Sequence, residues 1–199
     1  PNTIFNLLAS GVFDAVLVPQ IVRALKRDEG QVYINRLITL AGTILFLVAF
    51  ISTLLAPVLI VIMAPGYSQD IRSLAVAFAF LCLPQIFFYG LYNLLGELLN
   101  ARGVFGPYMW APVLNNIIAI AGLVAFLILW GAHEDFAISD FTSPQFWLLS
   151  ITTTLGVVCQ ALVLFIPMRR AGVSFKPDFH FRGTSFGSAS KVAGWTFAT

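Results

Sequence analysis

Two carboxylates and a set of amide and hydroxyl side chains lie inside otherwise apolar stretches of this chain. Asp14 and Glu97 are the two acids. A carboxylate in the middle of a bilayer costs about 2.5 to 3.5 kcal/mol on insertion scales, so it is expected where water or protein can solvate it. The amides and hydroxyls that accompany the acids are Asn2, Asn6, Tyr89, Tyr92, Asn93 and Asn100. Together these residues predict a polar cavity within the membrane that can hold the polar part of a ligand.

Some of these residues have the spacing of a helix face. Positions 89, 93, 96, 97 and 100 fall on one side of a helix. Hydrogen bonding between packed helices is the alternative explanation, and for the Asn and Tyr residues both interpretations stay open. For Asp14 and Glu97, the insertion cost favours the cavity.

Catalytic chemistry has little support in the sequence. His133 and His180 lie in loops, without a Ser, Cys or carboxylate pattern of known spacing. We find no glycine-rich phosphate loop and no metal-ligand spacing. Cys82 and Cys159 fall within apolar stretches, where small buried residues are the ordinary interpretation. We therefore expect the chain not to be an enzyme, and we expect no metal, cofactor or nucleic-acid site.

The elements that must position these groups are membrane spans. Hydrophobic residues make up 59% of the 199-residue chain, charged residues only 10%, and the mean hydropathy is +0.89. This composition is typical of a membrane protein. At ~1.5 Å per residue, a helix of about 20 residues crosses the ~30 Å hydrocarbon layer. We predict spans at 4–25, 37–64, 74–99, 108–130 and 146–168, a cytoplasmic interfacial linker at 173–190, and the start of a further span at 191–199.

Prolines predict where these spans bend. A proline inside a helix removes one backbone donor and frees the carbonyl one turn earlier. The short loop after the third span also predicts that the third and fourth spans pack antiparallel. The residues expected to form kinks or turns are Pro19, Pro57, Pro65, Gly66, Pro84 and Pro112.

Basic residues are distributed unevenly among the loops. Ten of the eleven lie at the end of the first span, at 23, or after the first, third or fifth span, and only Arg72 lies elsewhere. Cytoplasmic loops of membrane proteins carry an excess of Lys and Arg, so these three regions are predicted to be cytoplasmic. We expect Tyr108 and Trp110 at the inner interface, and Trp130 and Trp147 at the outer one.

Several short motifs occur in a specific order along the chain. They are Pro1-Asn2, Gly11-x-Phe13 with Val18-Pro19, Ala64-Pro65-Gly66-Tyr67, Gly96-x-x-x-Asn100, Phe105 and Ala111-Pro112-Val113-Leu114-Asn115. In this order and spacing, the chain resembles the MurJ (MviN) lipid II flippases of the multidrug/oligosaccharidyl-lipid/polysaccharide exporter superfamily. The resemblance runs over nearly the whole chain.

The resemblance implies an all-α, polytopic transmembrane helix bundle that forms the amino-terminal lobe of a two-lobe transporter. The chain would cover the second span to the start of the seventh, and Pro1 would be a truncation point. The implied activity is flipping of lipid II, an undecaprenyl-diphosphate-linked saccharide, across the bacterial cytoplasmic membrane by alternating access. Membrane lipids and cell-wall synthesis proteins are the other implied partners. A sister exporter of another lipid-linked saccharide or of amphipathic drugs is the alternative, and a non-transporting scaffold is the second.

One departure from the family pattern concerns charge. Many members have an arginine shortly after the Pro-Asn segment, whereas this chain continues Thr3-Ile4-Phe5-Asn6. Asp14 and Glu97 add negative charge where members often have small neutral residues. We therefore expect the contacts to a diphosphate to come from arginines of a first span that this chain does not contain.

Overall fold

The structure, a computed structural model, describes residues 30–131, 143–171 and 176–179. The span predicted at 4–25 and the start of a span predicted at 191–199 lie outside these residues. So do the site candidates Asn2, Asn6 and Asp14, and the predicted kink at Pro19. The described helices are α1 (Gly30–Leu54), α2 (Ala56–Met63), α3 (Gln69–Cys82), α4 (Gln85–Ala101), α5 (Gly106–Trp130), α6 (Ser143–Leu162) and α7 (Phe165–Arg170).

Four stretches of helix are long and apolar enough to cross a membrane. They are Gln31–Leu54, Gln69–Ala101, Gly106–Trp130 and Pro144–Arg170. Two of them, of 33 and 27 residues, consist of two helices in series. The described part of the chain has no strand. The predicted fold class, an all-α transmembrane bundle, is confirmed.

Helix breaks lie at or near prolines. α1 stops at Leu54, and α2 restarts at Ala56 with Pro57 in its first turn. α3 stops at Cys82, and α4 begins directly after Pro84. α5, by contrast, continues through Pro112. A further break before α7 lies close to Pro167, a residue that the sequence analysis did not single out.

α1 also begins earlier than the apolar run that predicted it. Its helical turns start at Gly30, seven residues before the predicted start of that span. Helical structure continues past the hydrocarbon boundary because polar residues there can complete backbone hydrogen bonds while their side chains reach water. Hydropathy reports the membrane-embedded part of a helix and not its full length.

The contacts of α5 differ from those that the sequence predicted. α4 contacts α1 and α6, and α5 packs along α6. α4 and α5 are consecutive, but they touch little, and their side-chain contacts lie near the loop that joins them. The antiparallel pairing expected for the third and fourth spans is therefore wrong in its extent. The small residues of α6 explain the difference, because they let α5 approach α6 closely.

The larger of the two apolar clusters among the described residues lies at the end of the bundle that carries the α4–α5 loop. Ile34 and Leu37 of α1 pack there with Leu98 of α4 and Met168 of α7. Many large apolar side chains elsewhere face outward, and Ile128 of α5 is 78% exposed. In a membrane-spanning bundle this outward apolar surface is the surface that lipid covers.

Candidate functional site

Two tyrosines join α4 and α5 close to their connecting loop. The rings of Tyr92 and Tyr108 stack with centroids 4.8 Å apart and planes 24° apart. The Tyr92 hydroxyl donates a hydrogen bond to the Tyr108 backbone carbonyl at 3.0 Å. The Tyr108 hydroxyl donates in turn to Oδ1 of Asn93 at 3.1 Å. Gln160 of α6, which is buried, is a further hydrogen-bond partner of the Tyr92 side chain. We call Tyr92, Asn93, Tyr108 and Gln160 the tyrosine cluster.

The tyrosine cluster compensates for a proline. Pro112 has no N–H, so the carbonyl four residues earlier, that of Tyr108, loses its usual helical donor. A carbonyl without a donor is costly inside a membrane, where water cannot replace the missing N–H. The Tyr92 hydroxyl supplies the hydrogen bond instead. This contact explains how α5 continues through Pro112 without a break.

Gly96 makes room for the ring of Tyr108. A Cβ atom at position 96 would collide with the Tyr108 ring carbons. Asn93 and Gly96 belong to the α4 face that the sequence predicted to line a cavity. Part of that face is therefore covered by Tyr108.

A second polar cluster, which we call the Pro84 clamp, lies at the α3–α4 break. The side-chain amide of Gln85, which is buried, donates to the hydroxyl oxygen of Thr154 on α6 at 2.8 Å. The Thr154 hydroxyl donates to the backbone carbonyl of Leu81 at 3.1 Å. Because Pro84 interrupts the backbone hydrogen bonding of this helix, a side chain of a neighbouring helix takes over the carbonyl next to the break.

Three further candidate residues lie on α4 outside the tyrosine cluster and the Pro84 clamp. Tyr89, Glu97 and Asn100 are half-buried. Tyr89 and Glu97 each take part in a polar or ring contact, so neither is an isolated group in an apolar surface. Pro65 and Gly66 lie in the turn between α2 and α3.

Sequence reasoning missed the structural partners of these candidates. Tyr108 was predicted to lie at the inner interface, and its stacking on Tyr92 between α4 and α5 was not foreseen. The sequence analysis did not connect Gln85 or Thr154 with the kink at Pro84. The signal that could have found all three is the position of each proline. Each proline leaves a nearby carbonyl in need of a donor, and a hydroxyl or amide on a neighbouring span can provide it.

The α5–α6 interface is built from glycines that seat polar side chains. Gly122 of α5 lies against the side chain of Thr152, and Gly156 of α6 lies against Asn115. The Thr152 hydroxyl donates back to the carbonyl of Leu148 at 2.8 Å, so it is satisfied within its own helix. Small residues at such positions let two backbones approach closely, which is how packing stabilises helix pairs in lipid.

The part of the chain that the structure describes contains no candidate metal site. No three His, Cys, Asp or Glu side chains lie together there as ligands would. The two cysteines, Cys82 and Cys159, are half-buried free thiols. The polar groups of the described helices are hydrogen-bonding groups, suited to binding and to helix packing.

Comparison with known proteins decides the family. The family model described as "Lipid II flippase MurJ" matches residues 1–199, the whole of the sequence. The chain belongs to the MurJ lipid II flippase family. Its described residues alone include four helices long and apolar enough to cross a membrane, so it is a multi-pass membrane protein.

Individual relatives of the MurJ family match most of this chain. A protein of Rhizobium tropici described as "Probable lipid II flippase MurJ" is 26% identical over 180 residues, which cover 87% of this chain and 32% of the relative. Proteins with the same description from Rickettsia prowazekii and Synechocystis are 22% and 27% identical, over 90% and 87% of this chain. They are covered to 34% and 32% of their own lengths. The chain thus spans about a third of the length of these relatives.

Proposed function

We propose that this chain is part of a transporter that flips lipid II across the bacterial cytoplasmic membrane. The observation that carries the proposal is the match of the MurJ family model to all of residues 1–199. The polar α4 face within an apolar bundle agrees with it, because a flippase must pass a hydrophilic head group through a hydrocarbon layer. The protein would act by alternating access and not as a catalyst of bond chemistry. Cell-wall synthesis proteins that make or use lipid II are the partners that fit this role.

The substrate head group would contact the part of the α4 polar face that Tyr108 does not cover. We place Tyr89, Glu97 and Asn100 on this surface, with Asn2, Asn6 and Asp14 contributed by the first span of the chain. Tyr92 and Asn93 would form its supporting wall, since Tyr108 engages the Tyr92 ring and the Asn93 oxygen. Cations are needed for the diphosphate, and they would come from parts of the protein other than this face.

The function is tested by complementation. The full-length gene is expressed in cells depleted of their own lipid II flippase, and growth and lipid II at the outer surface are measured. Rescue is the expected result. Failure to rescue, with normal insertion in the membrane, would reject lipid II as the substrate and favour an exporter of another lipid-linked saccharide or of amphipathic drugs. A protein that inserts but changes the transport of none of these would be a scaffold.

The cavity is tested separately at Glu97. Glu97→Gln keeps size and much of the hydrogen bonding but deletes the charge, so we expect normal insertion and several-fold altered flipping. Glu97→Leu is expected to disturb both insertion and flipping. Asp70→Asn is the matched control, since Asp70 is an exposed acid in the first turn of α3, at the other end of the bundle. If Glu97→Leu inserts and flips at the parental rate, Glu97 does not line the cavity.

A further inference from the structure

The chain after the last described helix returns to α1. Residues 176–179 lie against the first turns of that helix, where Arg36 Nε donates to Oδ2 of Asp178 at 2.8 Å. The two side chains are 33% and 23% exposed, so the ion pair is partly shielded from water. The partners are 142 positions apart in the sequence. This contact therefore joins two distant parts of the chain.

A second contact fixes the same residue of the segment. The backbone N–H of Asp178 donates to Oγ1 of Thr39 at 3.0 Å. The Thr39 hydroxyl donates its own proton to the carbonyl of Asn35 at 2.7 Å, which orients the oxygen as an acceptor. Thr39 is only 6% exposed. Since Arg36 and Thr39 are one helical turn apart, Asp178 is held on one face of α1 through both its side chain and its backbone.

The contact of Asp178 with α1 lies beside the larger apolar cluster of the bundle. Leu37, between the two anchoring residues, packs with Leu98 and Met168 in the core at the end that carries the α4–α5 loop. The segment is held against helices that are themselves packed together. Two other residues of the segment are exposed: Lys176, and Phe179 at 66%.

We propose that Arg36, Thr39 and Asp178 form an anchor that makes residues 176–179 move with α1 as one rigid body during transport. This inference rests on the proposed function, because rigid-body movement has meaning only in an alternating-access cycle. The two contacts reinforce each other, since the ion pair holds the side chain and Thr39 holds the backbone of one residue.

Docking is tested by the accessibility of position 39. Thr39→Cys is introduced with Cys82→Ser and Cys159→Ser into the full-length protein, and labelling by a polar maleimide is followed in opened membranes. The anchor keeps this position covered, so labelling should be slow. Arg36→Gln or Asp178→Asn should each raise the rate several-fold. The double reversal Arg36→Asp with Asp178→Arg should bring it back toward the parental rate.

Arg169→Gln is the matched control, because it removes an exposed cation from the helix that precedes the segment without touching the anchor. Its labelling rate should equal the parental one. If neither Arg36→Gln nor Asp178→Asn raises the rate above that of Arg169→Gln, the anchor does not hold the segment and the proposal is overturned. Labelling does not depend on flipping, so a protein that fails complementation can still show the anchor.

Rigid-body movement is tested by a permanent link. Thr39→Cys and Asp178→Cys are joined by a short, cleavable thiol cross-linker, and flipping is compared before linking, after linking and after cleavage. An anchor that stays closed predicts unchanged flipping in the linked protein. Loss of flipping on linking, with recovery on cleavage, would show that the segment must leave α1 and would overturn the rigid-body proposal.

Discussion

The hydroxyl group of Tyr92 does the work of a backbone N–H that Pro112 cannot provide. Tyr92→Phe keeps the stacked ring and removes only the donor, so the Tyr108 carbonyl is left without it. Hydrogen bonds between membrane helices contribute about 0.6 kcal/mol on average and up to ~1.7 kcal/mol. We expect a loss of stability within this range, measured by thermal unfolding of the detergent-solubilised protein. Tyr67→Phe, in the exposed turn before α3, should change stability little.

The same substitution in a Pro112→Ala background tests the cause. Alanine restores an N–H to position 112, which can bond the Tyr108 carbonyl within α5. Tyr92→Phe should then cost less than it does in the parent protein. Equal costs in the two backgrounds would mean that the Tyr92 hydroxyl does not act through the carbonyl freed by Pro112.

At the residue scale, the sequence showed which α4 residues are polar groups in an apolar span, but not which side chains contact them. Asn93 was open to two interpretations, a cavity ligand or a bond between helices, and its oxygen accepts from Tyr108. The sequence could not settle this, because Tyr108 is sixteen positions beyond Tyr92 and both tyrosines have the same chemistry in a cavity or in a contact. Gly96 leaves the room that the Tyr108 ring needs beside Tyr92 and Asn93.

At the scale of elements, two glycines set the pairing of α5 and α6. A Cβ at position 156 would meet the side chain of Asn115 and also its backbone oxygen, at 3.1 Å, which cannot rotate away. Overpacking of this kind costs about 1 to 3 kcal/mol. We expect Gly156→Ala to lower the thermal stability of the solubilised protein by a corresponding amount.

Gly42 of α1 supplies the matched control for Gly156. No atom lies within 4 Å of a Cβ built there, so alanine fits without a clash. Because alanine also has the better helix propensity, Gly42→Ala should be neutral or stabilise by up to ~1 kcal/mol. If Gly156→Ala behaves like Gly42→Ala, close approach at Gly156 is not what holds α5 against α6.

The positions of the helices along the chain were more predictable than the contacts between helices. In the described part of the chain, length and hydropathy predicted long apolar helices, and Pro84 predicted the α3–α4 break, because both depend on local sequence. The pairing of α5 with α6 was not predicted. Lipid and protein interior are equally apolar, so an apolar helix face carries no mark of which one covers it. The small residues Gly122 and Gly156 were the available signal for close approach.

At the scale of the whole molecule, the basic residues of the bundle are distributed unevenly between its two ends. Among the described residues, Arg36, Arg102, Arg169 and Lys176 lie at the end that carries the α4–α5 loop, and Arg72 lies at the start of α3, at the opposite end. Because the chain crosses back and forth, alternate loops return to the same end, and most of the basic residues lie in the alternate loops of one end. By the positive-inside rule, the Arg36 end is predicted to be cytoplasmic.

Cysteine labelling in intact cells tests this orientation. With Cys82→Ser and Cys159→Ser in the full-length protein, Tyr67→Cys should react with a membrane-impermeant maleimide added outside, because Tyr67 is 47% exposed in the turn between α2 and α3. Lys176→Cys, exposed near Arg36, should react only after the membrane is opened. Labelling of both positions after opening controls for reactivity. Strong outside labelling at position 176 with none at 67 would invert the topology, and it would place the anchor at the external surface.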